Sequence, residues 1–363
     1  MKVTIIAGAR PNFMKIAPLM RAIQAAKNAG KNISAHLVYT GKADDVSLEP
    51  SLFTDLDMPR PDVYLNIDST DFFRRMAGIL VAFARELEQH PAHVVMVVDD
   101  LTPTMACSLV ARKKGIKVAH LVAGVRTFEM DAPKEVNRII TDGLSDMLFT
   151  AGMVANRNLN QTGARPSNVH FVGNILIDTL RHNRPRLRRP VAFSILGLKE
   201  KDYLLLTLNR RSLLQDDKKL KALFDTLLRH TEKRIVAPLH TYVKEKLNTL
   251  GISDERLVLL LPQPYLSFGY MVSHASAIVT DSGNVAEEAT FLGIPCITLS
   301  TYAEHPETVS IGTNCLVGED PQLLAEALAT LQKGEWKNGS LPERWDGRTA
   351  ERIVQTLLEN MQG

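Results

Sequence analysis

The sequence predicts an α/β chain with two Rossmann-like, doubly wound domains facing each other across a cleft. Three observations carry this expectation. Short apolar runs alternate with amphipathic stretches along all 363 residues, the pattern of a parallel sheet covered by helices on both faces. The alternation breaks once, after His182, at the basic and proline-punctuated segment NRPRLRRPVAFS, and then restarts. The length is also about twice that of one ordinary domain.

In the first half the strand-like runs are VTIIAG, SAHLVYTG, VVMVV, KVAHLVAG, MLFTAG and VHFVGN. Each is short enough, and rich enough in Val and Ile, to be a buried parallel strand. The second half repeats the rhythm with YLLLTLN, RIVAPLH, RLVLLLP, ASAIVT, PCITLS and TNCLVG. We therefore place one domain over residues 1–183 and the other over 184–346, with a final helix at about 347–361 expected to complete the first. Trp336 and Trp345 flank a loop near that end and read as packing anchors.

Composition narrows the class. Apolar residues make up 45% of the chain and charged residues 23%, which is ordinary for a globular protein. Basic and acidic residues number 43 and 40, so the net charge of +3 argues for no nucleic-acid or other charge-driven partner. Only Cys107, Cys296 and Cys315 occur, widely spaced, and read as thiols in a reducing compartment. No run approaches the ~20 apolar residues of a membrane span, and MKVTIIAGARPNF reads as a first strand rather than a signal peptide. A cytoplasmic protein without a membrane partner is expected.

The most informative segment is Ala275 to Ile297, ASAIVTDSGNVAEEATFLGIPCI. It reads as buried strand, glycine turn and helix start, where free backbone N–H groups attract an anion. Glu287 and Glu288 follow about one turn into the helix, within reach of ribose hydroxyls as in dinucleotide folds. An ordinary capped helix has the same local signature. In open parallel sheets, however, ligands sit outside the carboxyl ends of the strands, and polar residues recur there. They include Arg10 after the first strand, Asp99-Asp100 after the third, Arg126-Thr127 after the fourth, and then Asn209-Arg210, His240, Ser282-Gly283 and Glu304-His305.

These residues, taken in order, resemble one family, the non-hydrolysing UDP-N-acetylglucosamine 2-epimerases. The likeness spans nearly the whole chain. It rests on GARPNFMKIAPL, Asp100, GIKVAHLVAGVRT, APKEVNRIITD, VGNILIDTL, TLNRR, APLH, TDSGNVAEEATFLGIPC and EHPE. The resemblance implies a cytoplasmic homodimer, acting without cofactor or metal on a UDP-linked N-acetylhexosamine. UDP is eliminated from C1 as a carboxylate removes the C2 proton, and the glucal is re-protonated from the opposite face as UDP returns. Carried over residue by residue, Arg10, Lys15, Arg138, Ser282 and Gly283 match the diphosphate-binding positions, Glu288 the ribose-holding acid, and His240 the histidine of the Pro-x-His motif. Asn209 and Arg210 belong to the same substrate-binding set, and Phe13 beside Arg10 is expected to border the sugar pocket.

The proton-moving half departs from the family pattern. Of three catalytic acids, only Asp100 stands at its matching position. Val122 replaces the glutamate of Glu-Ala-Gly, and Lys134 the first glutamate of Pro-Glu-Glu. Asn209 stands for a histidine, His305 for an arginine, and Lys42-Ala43 for the Gln-His of an activating site, so no activation by a second nucleotide sugar is expected. Three outcomes are compatible with these changes. Neighbouring acids take over, with Glu129 and Asp131 joining Asp100 as catalytic carboxylates and Asp99 standing where the family has glycine. Alternatively the chain binds a UDP-sugar without epimerising it, or runs a nucleotide-sugar hydrolysis or transfer.

Overall fold

The computed structural model describes residues 1–360 and divides into two compact units, Met1–His182 with the segment from Glu343, and Asn183–Pro342. The first comprises β1 (Lys2–Ala7), α1 (Arg10–Asn28), β2 (Ser34–Tyr39), α2 (Leu52–Asp55), β3 (Val63–Tyr64), α3 (Phe72–Gln89), β4 (Val94–Val98), α4 (Thr102–Lys113), β5 (Lys117–Leu121), α5 (Pro133–Leu144), β6 (Met147–Thr150), α6 (Met153–Gln161), β7 (Val169–Phe171) and α7 (Ile175–Asn183). The second runs α8 (Val191–Ile195), β8 (Tyr203–Thr207), α9 (Arg211–Gln215), α10 (Asp217–Arg229), β9 (Arg234–Pro238), α11 (Thr241–Thr249), β10 (Leu257–Leu260), α12 (Tyr265–His274), β11 (Ala277–Thr280), α13 (Gly283–Leu292), β12 (Cys296–Thr298), α14 (Glu307–Ser310), β13 (Asn314–Leu316) and α15 (Pro321–Gln332). The chain then returns to the first unit through α16 (Thr349–Glu359), which packs on α1. Residue 361 of the expected last helix lies outside the described residues.

Both sheets are parallel. Their strand orders are β3-β2-β1-β4-β5-β6-β7 and β10-β9-β8-β11-β12-β13. The two-residue β3 is the one strand of the first sheet that the hydrophobic runs did not announce, because two residues are too short to show a period. It makes the strand before Asp99 the fourth rather than the third. In each sheet the order reverses once, at β1/β4 and at β8/β11, and such a switch point opens a crevice outside the carboxyl ends of its strands.

Burial on both faces explains the near-continuous apolar strands. In the second sheet Leu204, Leu206, Ile235 and Val279 face one core, while Tyr203, Leu205, Val236 and Ile278 face the other. Helix starts carry their own signals: Asp71, Asp216 and Asp320 accept first-turn N–H groups of α3, α10 and α15. Trp345 is fully buried and donates its indole N–H to the Ala151 carbonyl at 3.0 Å, pinning the returning segment to the first unit. At Gly173, with φ +98°, any Cβ would lie 2.1 Å from the Arg344 carbonyl oxygen, so that docking requires glycine. Trp336 donates to the Thr313 carbonyl at 2.9 Å. Both tryptophans are packing anchors.

Candidate active site

In the first unit, the residues singled out by sequence flank the β1/β4 switch point. Arg10 opens α1 directly after β1, and Asp99-Asp100 follow β4. Asn12 folds the strand exit, its side-chain oxygen accepting the N–H groups of Gly8 at 2.8 Å and Ala9 at 3.1 Å. Lys15, one turn further on, is buried with its ammonium 2.5 Å from Asp99, whose other oxygen accepts from Asn12 at 2.8 Å. Asp99 holds φ +60°, the left-handed region that glycine favours. Here an aspartate occupies that backbone state and uses its side chain to bind the lysine.

Asp100 is the centre of a second cluster. Its carboxylate accepts from Arg138 at 2.6 Å and lies 3.4 Å from the Lys134 ammonium, while its carbonyl accepts from Asn137 at 2.9 Å. Glu135, on the same turn of α5 as Lys134, takes no part in proton transfer geometry of that kind. It is buried, and accepts the backbone N–H groups of Thr127 at 2.9 Å and Phe128 at 3.2 Å, the Thr127 hydroxyl at 3.1 Å and Arg138 at 3.2 Å. Burial alone would raise its carboxyl, but those donors outweigh burial and hold it below the usual carboxylate range. It staples the loop after β5 to α5.

Beneath this loop His120, Asp142 and Arg126 form a buried network. Asp142 accepts from His120 at 2.6 Å and Arg126 at 2.6 Å, and the other His120 nitrogen meets the Asp99 carbonyl at 2.9 Å. Burial pushes the Asp142 carboxyl up, and the His120 and Arg126 contacts more than reverse it, so it sits below its ordinary value. Sequence reasoning missed this support, whose signal was two polar residues in apolar surroundings, His120 in KVAHL and Asp142 in RIITDG. Val122 takes φ +69°, an outlier for a β-branched side chain. Glu129 and Asp131 are exposed, and among the described residues neither carboxylate makes an ion pair, whereas Asp100 is paired with Arg138 and Lys134.

Two further expectations change. Phe13 does not border a pocket: it lies inside α1, fully buried, with ring centroids 5.4 Å from Tyr39 and 5.1 Å from Phe53. A large apolar ring at that helical position falls on the core face. Arg10 is paired rather than open, its guanidinium bonded to both oxygens of Glu49 at 2.8 and 2.5 Å.

In the second unit, Asn209-Arg210 follow β8 and Ser282-Gly283 follow β11, again flanking the switch point. Asp281 ties them together, one carboxylate oxygen accepting the N–H groups of Asn209 at 2.5 Å and Arg210 at 2.6 Å. Burial raises its carboxyl above the ordinary value despite these bonds. Ser282 is the N-cap residue of α13 without a side-chain cap, and a cavity of about 90 Å³ opens there, lined by Arg210, Asp281, Gly283, Glu287, Glu304 and His305 among others. The Glu304 carboxylate stands beside the Gly283 backbone, 3.5 Å from where a Cβ would be. Glu288 is buried and not part of that lining; Glu287 is, with His305 at 3.8 Å. Burial, and then the neighbouring Glu287 charge, push the Glu288 carboxyl up to about 8. His240 stands exposed at the start of α11, stacked on Tyr242 at 5.9 Å.

Two doubly wound units, each with polar residues gathered at its switch point, define the GT-B-like class of nucleotide-sugar proteins. Within it, the UDP-N-acetylglucosamine 2-epimerase family model matches residues 25–358, and the chain belongs to that family. A UDP-N-acetylglucosamine 2-epimerase of Methanocaldococcus jannaschii is 32% identical over 370 residues, covering 98% of this chain and 99% of its own. A UDP-2,3-diacetamido-2,3-dideoxy-D-glucuronate 2-epimerase of Pseudomonas aeruginosa is 31% identical over 365 residues, covering 99% and 100%. The crystal structure of Methanocaldococcus jannaschii UDP-GlcNAc 2-epimerase in complex with UDP-GlcNAc and UDP superposes with a TM-score of 0.85 at 32% identity, covering 99% of this chain and 100% of that one.

Proposed function

We propose that the chain is a 2-epimerase-type isomerase of a UDP-linked N-acetylhexosamine. The C1–O bond to UDP breaks as the C2–H bond gives its electrons to a C1=C2 double bond, with the proton passing to a carboxylate. Proton return to the other face of C2 and re-addition of UDP complete the inversion. The observation that carries this reading is Asp100. It stands at the carboxyl end of β4, on the switch point, held by Arg138 at 2.6 Å. Arg138 holds one Asp100 oxygen, and the other faces the ammonium of Lys134 at 3.4 Å, a 60% exposed side chain that a substrate would have to displace before that oxygen could take a proton.

The remaining roles belong to the same proposal. In the first unit Arg10, Lys15 and Arg138 are the cations that would answer a diphosphate, and in the second the α13 amino terminus at Ser282-Gly283 with the loop residues Asn209, Arg210 and His240. Glu288 is matched to the family's ribose acid but is buried off the cavity, where Glu287 would be the acid to meet a ribose. Glu129 and Asp131 are the carboxylates available to replace the acids absent at Val122 and Lys134, and their exposure leaves them unconstrained by the fold. A homodimer in a reducing cytoplasm is also proposed; all three cysteines are unpaired, in keeping with that setting.

One contact favours a second reading, that the chain binds a UDP-sugar without epimerising it. Lys134 puts a cation 3.4 Å from Asp100, where the family pattern has an acid. Incubation with UDP-N-acetylglucosamine in heavy water separates the two. The epimerase reading expects deuterium at C2 by NMR, lost in Asp100→Asn. UDP-dependent thermal stabilisation without exchange, across several UDP-N-acetylhexosamines, would establish the binding reading instead. No stabilisation by UDP at all would remove the nucleotide site from both.

A further inference from the structure

We infer that His36, Glu86 and His90 form a binding site for a divalent transition-metal ion, zinc being the closest chemical match. One Glu86 carboxylate oxygen lies 2.8 Å from His36 Nε2 and 2.8 Å from His90 Nδ1, and one ligand atom from each of the three residues falls within 4.8 Å of the others. Two imidazole nitrogens and a carboxylate oxygen are the donor set that zinc takes at about 2.0–2.2 Å, a geometry in which neighbouring ligand atoms stand roughly 3.3 Å apart. Both observed contacts, at 2.8 Å, are within about 0.5 Å of that value. Small side-chain movements would admit the ion between groups that already converge.

The cluster is built rather than incidental. His90 is the residue that caps the carboxyl end of α3, four positions after Glu86 and bonded to it, and Glu86 is 6% exposed, a carboxylate withdrawn from water with imidazoles as its partners. His36 reaches them from β2. Its other nitrogen, Nδ1, is 3.6 Å from Asp62, which is itself fixed by accepting the Leu37 N–H at 2.7 Å. A carboxylate behind a ligating histidine is the usual means of orienting the ring towards a metal. His90 is half exposed, leaving a way in and a coordination position for water.

Position separates this cluster from the residues proposed for catalysis. It joins the early part of β2 to the carboxyl end of α3, which leads into the start of β4, whereas Arg10, Asp99 and Asp100 follow the ends of β1 and β4. An ion here would clasp helix to sheet and act on stability rather than on the sugar.

The test uses the full chain, free of any histidine tag and stripped with chelator, titrated with zinc against a chromophoric competitor and by calorimetry. One zinc per chain and a rise in melting temperature are expected. His36→Ala and His90→Ala should each weaken binding by more than the ~10–100-fold that losing an outer-shell partner costs. His93→Ala, a nearby exposed histidine outside the cluster, should bind as the unaltered chain does. Absence of binding or stabilisation at about 0.1 mM zinc would overturn the site. So would undiminished affinity in His36→Ala and His90→Ala, or a loss in His93→Ala equal to theirs.

Discussion

Replacing Glu288 by glutamine should remove a pH-dependent weakness from the second unit. Burial, with the Glu287 charge adding to it, raises the Glu288 carboxyl from its ordinary 4.5 to about 8. Between those values the folded chain holds a proton that the unfolded chain releases, so stability must fall as pH rises through that window. The slope is about 1.4 kcal/mol per pH unit for a single group. From about pH 5 to pH 7.5 the loss is therefore on the order of 3 kcal/mol. Glutamine keeps the shape and a neutral polar end but has no proton to lose. At about pH 5 the two proteins should be nearly equal in stability, and near pH 8 the variant should be the more stable by on the order of 3 kcal/mol. Urea unfolding across that range, followed by tryptophan fluorescence with Trp336 reporting the second unit, measures the difference directly. Asp281, also raised by burial, is present in both proteins and cancels. A stability difference that does not change with pH would refute the reasoning, because it would mean that Glu288 ionises in the fold at no cost.

Two further substitutions probe the first unit. Val122→Glu combined with Lys134→Glu restores carboxylates at both family positions and takes a β-branched residue out of φ +69°; C2 deuterium exchange should rise by ~10²-fold or more, and no rise with UDP binding intact would show that other parts of the site limit the reaction. Asp99→Gly removes the partner of Lys15 and puts glycine at φ +60°, so UDP-sugar affinity measured by calorimetry should tighten roughly tenfold, with unchanged affinity excluding Lys15 as a phosphate ligand.

Much of the fold is legible in the sequence. Parallel strands buried on both faces announce themselves as Val- and Ile-rich runs, which is why twelve of the thirteen strands coincide with an apolar run and β3, at two residues, does not. Strand exits are punctuated by Gly, Arg and Asp, so the residues at both switch points could be picked out individually. What the sequence does not carry is which acid answers which cation. Glu49 and Arg10 are 39 residues apart, Asp99 and Lys15 84, and nothing periodic connects them. The same is true of His36 and Glu86, 50 residues apart. Side chains of this kind meet only because the sheet order places β2, β1 and β4 side by side. Phe13 was misplaced for the opposite reason: the loop-like GARPN before it gives no hint that the helix begins at Arg10 and turns the ring inward.

The cations of the first unit are already answered by the chain's own carboxylates, and the burial of each pair decides which a phosphate can recruit. Arg10 and Glu49 are about a third exposed, so water screens their attraction and opening the pair costs little, roughly 1 kcal/mol or less. Lys15 and Asp99 are 4% and 16% exposed, and parting them would leave two poorly solvated charges. Arg138 is held from two sides, by Asp100 and Glu135. A diphosphate that approaches must replace a carboxylate rather than fill an empty position, and the exchange is least costly at Arg10. Arg10 is therefore the cation most open to a ligand, while Lys15 and Arg138 are spent chiefly on fixing Asp99 and Asp100. The lysine most buried in the site is the one least able to change partners, unless Asp99 is removed.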